Sequence, residues 1–417
     1  MSGLFSLNSA GESGTGATPV DNRQFANNRA NRVVTARRAF MKQAGVGAAA
    51  LAAFGCSPAA APAPAAAPAG SGGQAPSGAP AWESTWNEWV TAAKKEGSLT
   101  LMTQTGGNYP EVFAAFNKAF PGIEVENKQF SSGSEYGPKV TQERQANVYS
   151  WDAAILSVQS PLLSLRPIGA LDPLLPVLIR GDVTDDKAWS GGFMSGFADT
   201  EKKLAFLFAE ELRGRWLVNT DQVKPEELAS FQDLLTPRWK GKLLIGDVRT
   251  GSTYPGIYIL RKALGEETVK KLLIEQQPVY TRDSRALAED VIRGKYPISF
   301  NATIANLAAF RREGLVKNVK LVTFPETSYL GAAAALFIFN RAPHPNAARV
   351  FVNWLLTQEG QAVATTANKW NSKRLGLAPG EPDTMPEPGK NYTRMGLEEN
   401  LDPQEDTRKW LEGLVLR

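Results

Sequence analysis

The chain of 417 residues contains one cysteine and one histidine. A single thiol excludes an intrachain disulfide framework and any cysteine-based metal cluster, and a single imidazole excludes a histidine-rich metal site. Cationic excess is scarce as well. The formal net charge is +4, and residues 1–55 hold six of the 46 basic groups but only two of the 42 acidic ones, so the remainder is neutral. A neutral body lacks the Lys and Arg surplus whose counterion release drives non-specific nucleic-acid binding, and no nucleic-acid partner is expected. Beyond the N-terminal region no apolar run approaches the roughly 18 residues that a membrane-spanning helix needs.

Catalytic signatures are also missing. There is no G-x-S-x-G nucleophile elbow, P-loop or dinucleotide motif, and the sole histidine stands in Pro343-His344-Pro345. No carboxylate pair stands out for glycoside hydrolysis, since the neighbours Glu210 and Glu211 fall on opposite faces of a strand. We expect a protein that is not an enzyme and needs neither cofactor nor metal. A secreted hydrolase is the alternative from a different class.

What is present begins with an address. Residues 1–34 lack helical or strand periodicity. Then Arg37-Arg38-Ala39-Phe40-Met41-Lys42 precedes a weakly apolar stretch, Ala44 to Gly55, and Cys56 follows directly. A charged segment, an apolar segment and a small-residue boundary make an export signal. The arginine pair followed by x-Phe-x-Lys resembles a twin-arginine signal, and Cys56 resembles a lipobox cysteine that would be acylated. Residues 57–81 are almost entirely Ala, Pro, Gly and Ser, too poor in apolar surface to order themselves, and read as a semi-extended tether. The expected location is the outer face of a membrane, with a lipid anchor.

From Trp82 the patterning turns globular, with a 43% hydrophobic share and 10 tryptophans to build a core. Helical and strand periods alternate twice. The first set has helices near 82–96, 111–120 and 136–147, with strands near 99–102, 123–126 and 153–156. The second has helices near 225–235, 255–264, 284–293 and 304–312, with strands near 243–245, 279–280 and 298–300. Apolar segments at 204–208, 216–218 and 333–339 connect the two sets, and helices at 345–356 and 358–367 follow. This α/β pattern predicts two lobes joined by crossover strands: residues 1–55 as signal, 56–81 as tether, 82–208 plus 330–417 as lobe I, and 209–329 as lobe II.

Several strings resemble a known family. They are Val218-Asn219-Thr220-Asp221, Phe231-Gln232-Asp233-Leu234-Leu235, Pro237-Arg238-Trp239-Lys240-Gly241-Lys242 and Ala342-Pro343-His344-Pro345-Asn346-Ala347-Ala348. Trp354-Leu355-Leu356 and Glu359-Gly360-Gln361 continue the series. In this order they resemble extracellular solute-binding proteins of ABC transporters, in the branch containing ferric-iron-binding proteins. The resemblance implies a two-lobe type II periplasmic-binding fold, a hinged cleft, a monomer, a small-molecule solute and membrane permease subunits as partners. A sensory binding protein would share that fold.

In such a cleft the ligand lies beyond strand ends. The candidates are Thr105 and Gly106 after the first strand, Ser131, Ser132 and Ser134 after the second, and Ser157 and Gln159 after the third. Glu210, Glu211, Arg213 and Arg215 lie between the crossover segments, and Asn301 and Thr303 follow the late strand of lobe II. The loop Arg249-Thr250-Gly251-Ser252 opens a helix, where free N–H groups, hydroxyls and a guanidinium suit an anion. Iron-binding members ligate Fe(III) with an adjacent tyrosine pair after that late strand. Here the stretch reads Phe300-Asn301-Ala302-Thr303, without tyrosine. An anionic or oxyanion-bearing solute is therefore expected, with ferric iron as the alternative.

Overall fold

The computed structural model describes residues 80–248 and 253–415. The expectations for Arg37, Arg38 and Cys56, nearly all of the tether, and the loop Arg249, Thr250, Gly251 and Ser252 lie outside the described residues. The compact unit that carries the α/β elements spans Ala75–Arg417.

Helix α1 (Trp82–Glu96) ends at Gly97, whose left-handed φ of 74° lets its N–H reach the Ala93 carbonyl. Then come β1 (Ser98–Gln104), α2 (Tyr109–Ala119), β2 (Glu124–Phe130), α3 (Gly133–Gln145), β3 (Ala153–Leu156) and β4 (Leu171–Asp172). β1 pairs in parallel with both β2 and β3. β2 is the exposed edge, and its Glu124, Glu126 and Lys128 guard it against further pairing.

The chain leaves lobe I through β5 (Phe206–Arg213) and enters lobe II at β6 (Trp216–Asn219). It continues through β7 (Leu243–Gly246), α4 (Tyr254–Lys270), β8 (Val279–Thr281), α5 (Ala286–Ile292), β9 (Ile298–Phe300), α6 (Ile304–Arg312) and β10 (Val319–Val322). It returns along β11 (Tyr329–Phe339) to α7 (Pro345–Leu355), α8 (Gln358–Asn368), β12 (Thr393–Arg394) and α9 (Leu401–Val415).

Among the described residues these strands form two sheets. One has seven strands in the order β12-β11-β3-β1-β2, with β4 and β5 also paired to β11; the other has five in the order β10-β6-β9-β7-β8. Each keeps a parallel centre and takes its crossover strands antiparallel. Apolar side chains cover both faces of each sheet, with Leu99, Leu336 and Phe351 in one core and Trp216, Ile245 and Phe300 in another. The two-lobe α/β architecture of the type II periplasmic-binding fold is thus present.

Two crossovers run side by side at the junction. Gly214 takes a φ of 72°, and a Cβ there would stand 2.1 Å from the Thr327 carbonyl oxygen. The Thr327 and Ser328 hydroxyls donate to the Gly214 carbonyl at 3.0 and 3.2 Å, and Trp216 Nε1 donates to Thr327 Oγ1 at 3.1 Å. Only glycine allows this close backbone approach. The last helix makes a third crossing. α9 packs on α4, where Leu411 joins the lobe II core, Arg261 stacks on Trp410 and Tyr258 Oη donates to Asn400 at 3.2 Å.

Candidate functional site

A cavity of about 280 Å³ lies where the crossovers meet the end of β9. Its walls include Glu211 and Arg213 from β5, Arg215 from the crossover, Asn301 and Thr303 after β9, Tyr329 from β11 and Thr384.

Each side chain arrives by local rules. Residues two apart on a strand share a face, so Glu211 and Arg213 stand together and Glu210 points away. Arg213 Nε donates to Glu211 Oε1 at 2.6 Å, and Nη2 also contacts that oxygen. Asn301 holds a left-handed φ of 69°, and its N–H donates to the Arg215 carbonyl at 2.9 Å. Thr303 caps α6 reciprocally: Asn306 N–H donates to its hydroxyl at 3.2 Å, and Thr303 N–H donates to Asn306 Oδ1 at 3.0 Å. The buried Tyr329 hydroxyl is held protonated, with its pKa pushed up to about 12 by loss of solvent.

Arg215 differs from these. Half-buried, its guanidinium makes no hydrogen bond or ion pair among the described residues. Burial lowers its pKa from the usual arginine value, while the charges of Asp383 and Glu211 oppose that shift. Because Glu211 is already engaged by Arg213, the cavity presents, among the described residues, one cation with five unengaged donors.

The other strand-end candidates are distributed elsewhere. Ser134 and Gln159 border a shallow groove between α3 and the segment after β3. Ser132 and Ser134 share a hydrogen bond at 2.8 Å. Thr105, Gly106, Ser131 and Ser157 border neither this groove nor the interlobe cavity. Ser131 N–H and hydroxyl both donate to Glu135 in the first turn of α3, at 2.8 and 2.7 Å, a local contact at the helix start. Gln159 lies near Tyr254 at the start of α4, one of the polar approaches between the lobes. Glu210 belongs to a separate cluster on the far face of β5. Thr384 was not anticipated from the sequence, because it comes from an irregular stretch with no periodicity to place it.

No three His, Cys, Asp or Glu side chains among the described residues stand close enough to hold a metal ion. His344 is taken up by Asp152, far along the chain, with Nδ1 2.9 Å from Oδ2. None of the helices among the described residues is long and apolar enough to cross a membrane.

Comparison with known proteins agrees with this fold. The fold is similar to iron-bound HitA from Pseudomonas aeruginosa, at 17% identity and a TM-score of 0.54, over 74% of this chain and 99% of that one. A Trichodesmium protein, IdiA or FutA, in complex with iron and citrate aligns at 17% identity and a TM-score of 0.58, over 77% of this chain and all of that one. AfuA from Actinobacillus pleuropneumoniae, with fructose-6-phosphate bound, aligns at 16% identity and a TM-score of 0.53, over 76% of this chain and 99% of that one. No curated protein sequence matches the chain. The family model for bacterial extracellular solute-binding proteins matches residues 100–362, more than half of the chain, and the protein belongs to that family.

Proposed function

We propose that the protein is the extracytoplasmic receptor of an ABC importer. It closes its lobes on one small anionic solute and hands that solute to a permease, with no chemistry of its own. The observation that carries this reading is Arg215, a cation without a hydrogen-bond partner among the described residues, in the cavity between the lobes. A guanidinium binds a carboxylate or phosphate through two parallel N–H donors, and burial strengthens that bond. Closure gains contacts from both lobes, so bound solute selects the closed form. AfuA, of similar fold, is described with a sugar phosphate bound.

Ferric iron is the second reading, because HitA and the Trichodesmium protein are iron-bound. Fe(III) prefers phenolate oxygen. Among the described residues Tyr329 is the one tyrosine that lines this cavity, so the cavity offers a single phenol where the iron reading calls for a pair.

A thermal-shift screen over phosphate esters, phosphonates, carboxylates, polyamines and Fe(III), followed by calorimetry, tests the reading. An anion should stabilise the protein, and Arg215→Ala should weaken its binding by about 1.5–3 kcal/mol, the worth of a charged hydrogen bond. Stabilisation by Fe(III) with a phenolate-to-iron colour, or anion affinity unchanged in Arg215→Ala, would overturn it.

Export by the twin-arginine route and anchoring through acylated Cys56 complete the proposal. Lipid chains contribute about 0.8 kcal/mol per buried CH₂, enough for stable attachment when two or more are present. Cys56→Ser should move the protein from the membrane fraction to the soluble fraction; retention in membranes would rule out this anchor.

A further inference from the structure

Strand β5 serves two cavities, one from each face. Glu211 and Arg213 face the interlobe cavity, whereas Glu210 faces a second cavity of about 350 Å³ in lobe I. There Glu210 meets two cations. Arg394 Nε donates to its two carboxylate oxygens at 2.9 and 3.1 Å, and Lys373 Nζ lies 3.5 Å from Oε2. Arg394 Nη1 and Lys373 Nζ also donate to the Ser195 carbonyl, each at 3.1 Å. The remaining guanidinium nitrogen, Arg394 Nη2, is buried without a hydrogen-bond partner among the described residues.

The charge count does not close. Lys373 and Glu210 are only 7% and 8% exposed and Arg394 is partly buried beside them, so two positive groups share one negative group, with Lys373 as a cation largely away from water. A one-to-one pair would satisfy Glu210. The additional buried cation incurs a desolvation cost that the protein's own side chains do not offset. The rim supplies the other half of a site. Leu330, Leu375, Met385 and Pro386 line it, and Leu375 and Met385 are 53% and 43% exposed, large apolar side chains around a cationic floor.

We propose that this cavity is a second binding site, for a small anion with an apolar tail such as a medium-chain carboxylate. The carboxylate would sit at Lys373 and Arg394, and the tail would lie against Leu375 and Met385. The site is separate from the interlobe cavity and does not rest on the solute reading given above.

The ionisation of Lys373 is consistent with an anion at this place. The charged groups acting on it are Glu210 from β5, Arg394 from β12 and Lys202 from the turn before β5. Burial pushes the amine down to about 8, Glu210 opposes the shift, and the two neighbouring cations add to it. An arriving carboxylate would favour the charged amine, so binding near pH 8 should take up protons.

Calorimetry on the full chain tests the proposal, with octanoate, butyrate, chloride and neutral octanol as probes. Octanoate should bind the wild type and Arg215→Ala equally, and Lys373→Met about tenfold more weakly or worse. In buffers of different ionisation heat at pH 8, the wild type should take up protons and Lys373→Met should not. Lys373→Met leaves Glu210 paired one-to-one with Arg394, so its unfolding midpoint should not fall. Leu375→Glu, on the exposed rim, provides a variant that spares the charged floor; it should weaken octanoate and leave butyrate unchanged. Absence of octanoate binding, equal affinity in Lys373→Met, loss of binding in Arg215→Ala, or chloride and octanol matching octanoate would each overturn the proposal.

Discussion

A single carboxylate ties the start of β3 to the start of α7. Asp152 is fully buried and accepts from Thr100 N–H at 2.6 Å and His344 N–H at 2.7 Å, while His344 Nδ1 approaches at 2.9 Å. Burial pushes its pKa up and these donors oppose the shift, so its environment is built around an acceptor. Asp152→Asn places an amide donor against backbone N–H donors and should cost about 1–3 kcal/mol, read as a lower urea midpoint at constant slope. An unchanged midpoint would show that these bonds add nothing net. The sequence shows His344 between two prolines, but Asp152 lies 192 residues away and no local pattern links the two. The same limit applies at the cavity. The run Glu210, Glu211, Arg213 and Arg215 was recognisable as a cluster, and strand alternation separates Glu210 from the rest. Which arginine is engaged by Glu211 and which is left over depends on geometry alone.

Among the elements, periodicity carried most of the fold, because buried strands and amphipathic helices impose their periods directly on the sequence. It misread places where local chemistry interrupts a period. The predicted helix 225–235 is two short 3₁₀ turns, Pro225–Glu227 and Phe231–Leu235, separated where Ser230 and Asp233 form a reciprocal cap. The predicted stop after residue 264 falls at a break: α4 continues to Lys270, but Gly265 interrupts it with a φ of 80°. The crossover strand into α7 begins at Tyr329 rather than Ala333, because small alanines and Gly331 mask the strand signal. α9, grouped with lobe I from its place in the chain, packs against lobe II. Its amphipathic stripe predicts a helix but not the sheet it covers. Lys373 and Arg394 were missed for a related reason. They flank an irregular stretch, and no local pattern signals that it folds back beside β5.

At the scale of the whole molecule, that same stretch joins the lobes. Between α8 and β12, Asn371 Nδ2 donates to the Glu381 carbonyl at 3.0 Å and to Thr384 Oγ1 at 2.8 Å, fixing a turn on lobe I. From this turn Glu381 lies 3.8 Å from Arg311 at the end of α6 in lobe II, and Asp383 pairs with the same guanidinium. Glu387 of the same stretch lies near Thr323, just after β10. Partly exposed ion pairs contribute only about 0–1 kcal/mol, too little to matter for folding. That amount is nevertheless enough to shift an open–closed ratio by up to about fivefold, since each 1.4 kcal/mol is a factor of about ten. We therefore expect Arg311→Ala to leave the unfolding free energy within about 0.5 kcal/mol of wild type while enlarging the solute-free protein in small-angle scattering. Added salt should enlarge the wild type in the same way, by screening the pairs, and should have little further effect on Arg311→Ala. Identical radii of gyration for the two proteins at low salt would mean that the Arg311 pairs do not hold the lobes together, leaving the Gly214 junction and the Tyr254–Gln159 contact to set the resting geometry.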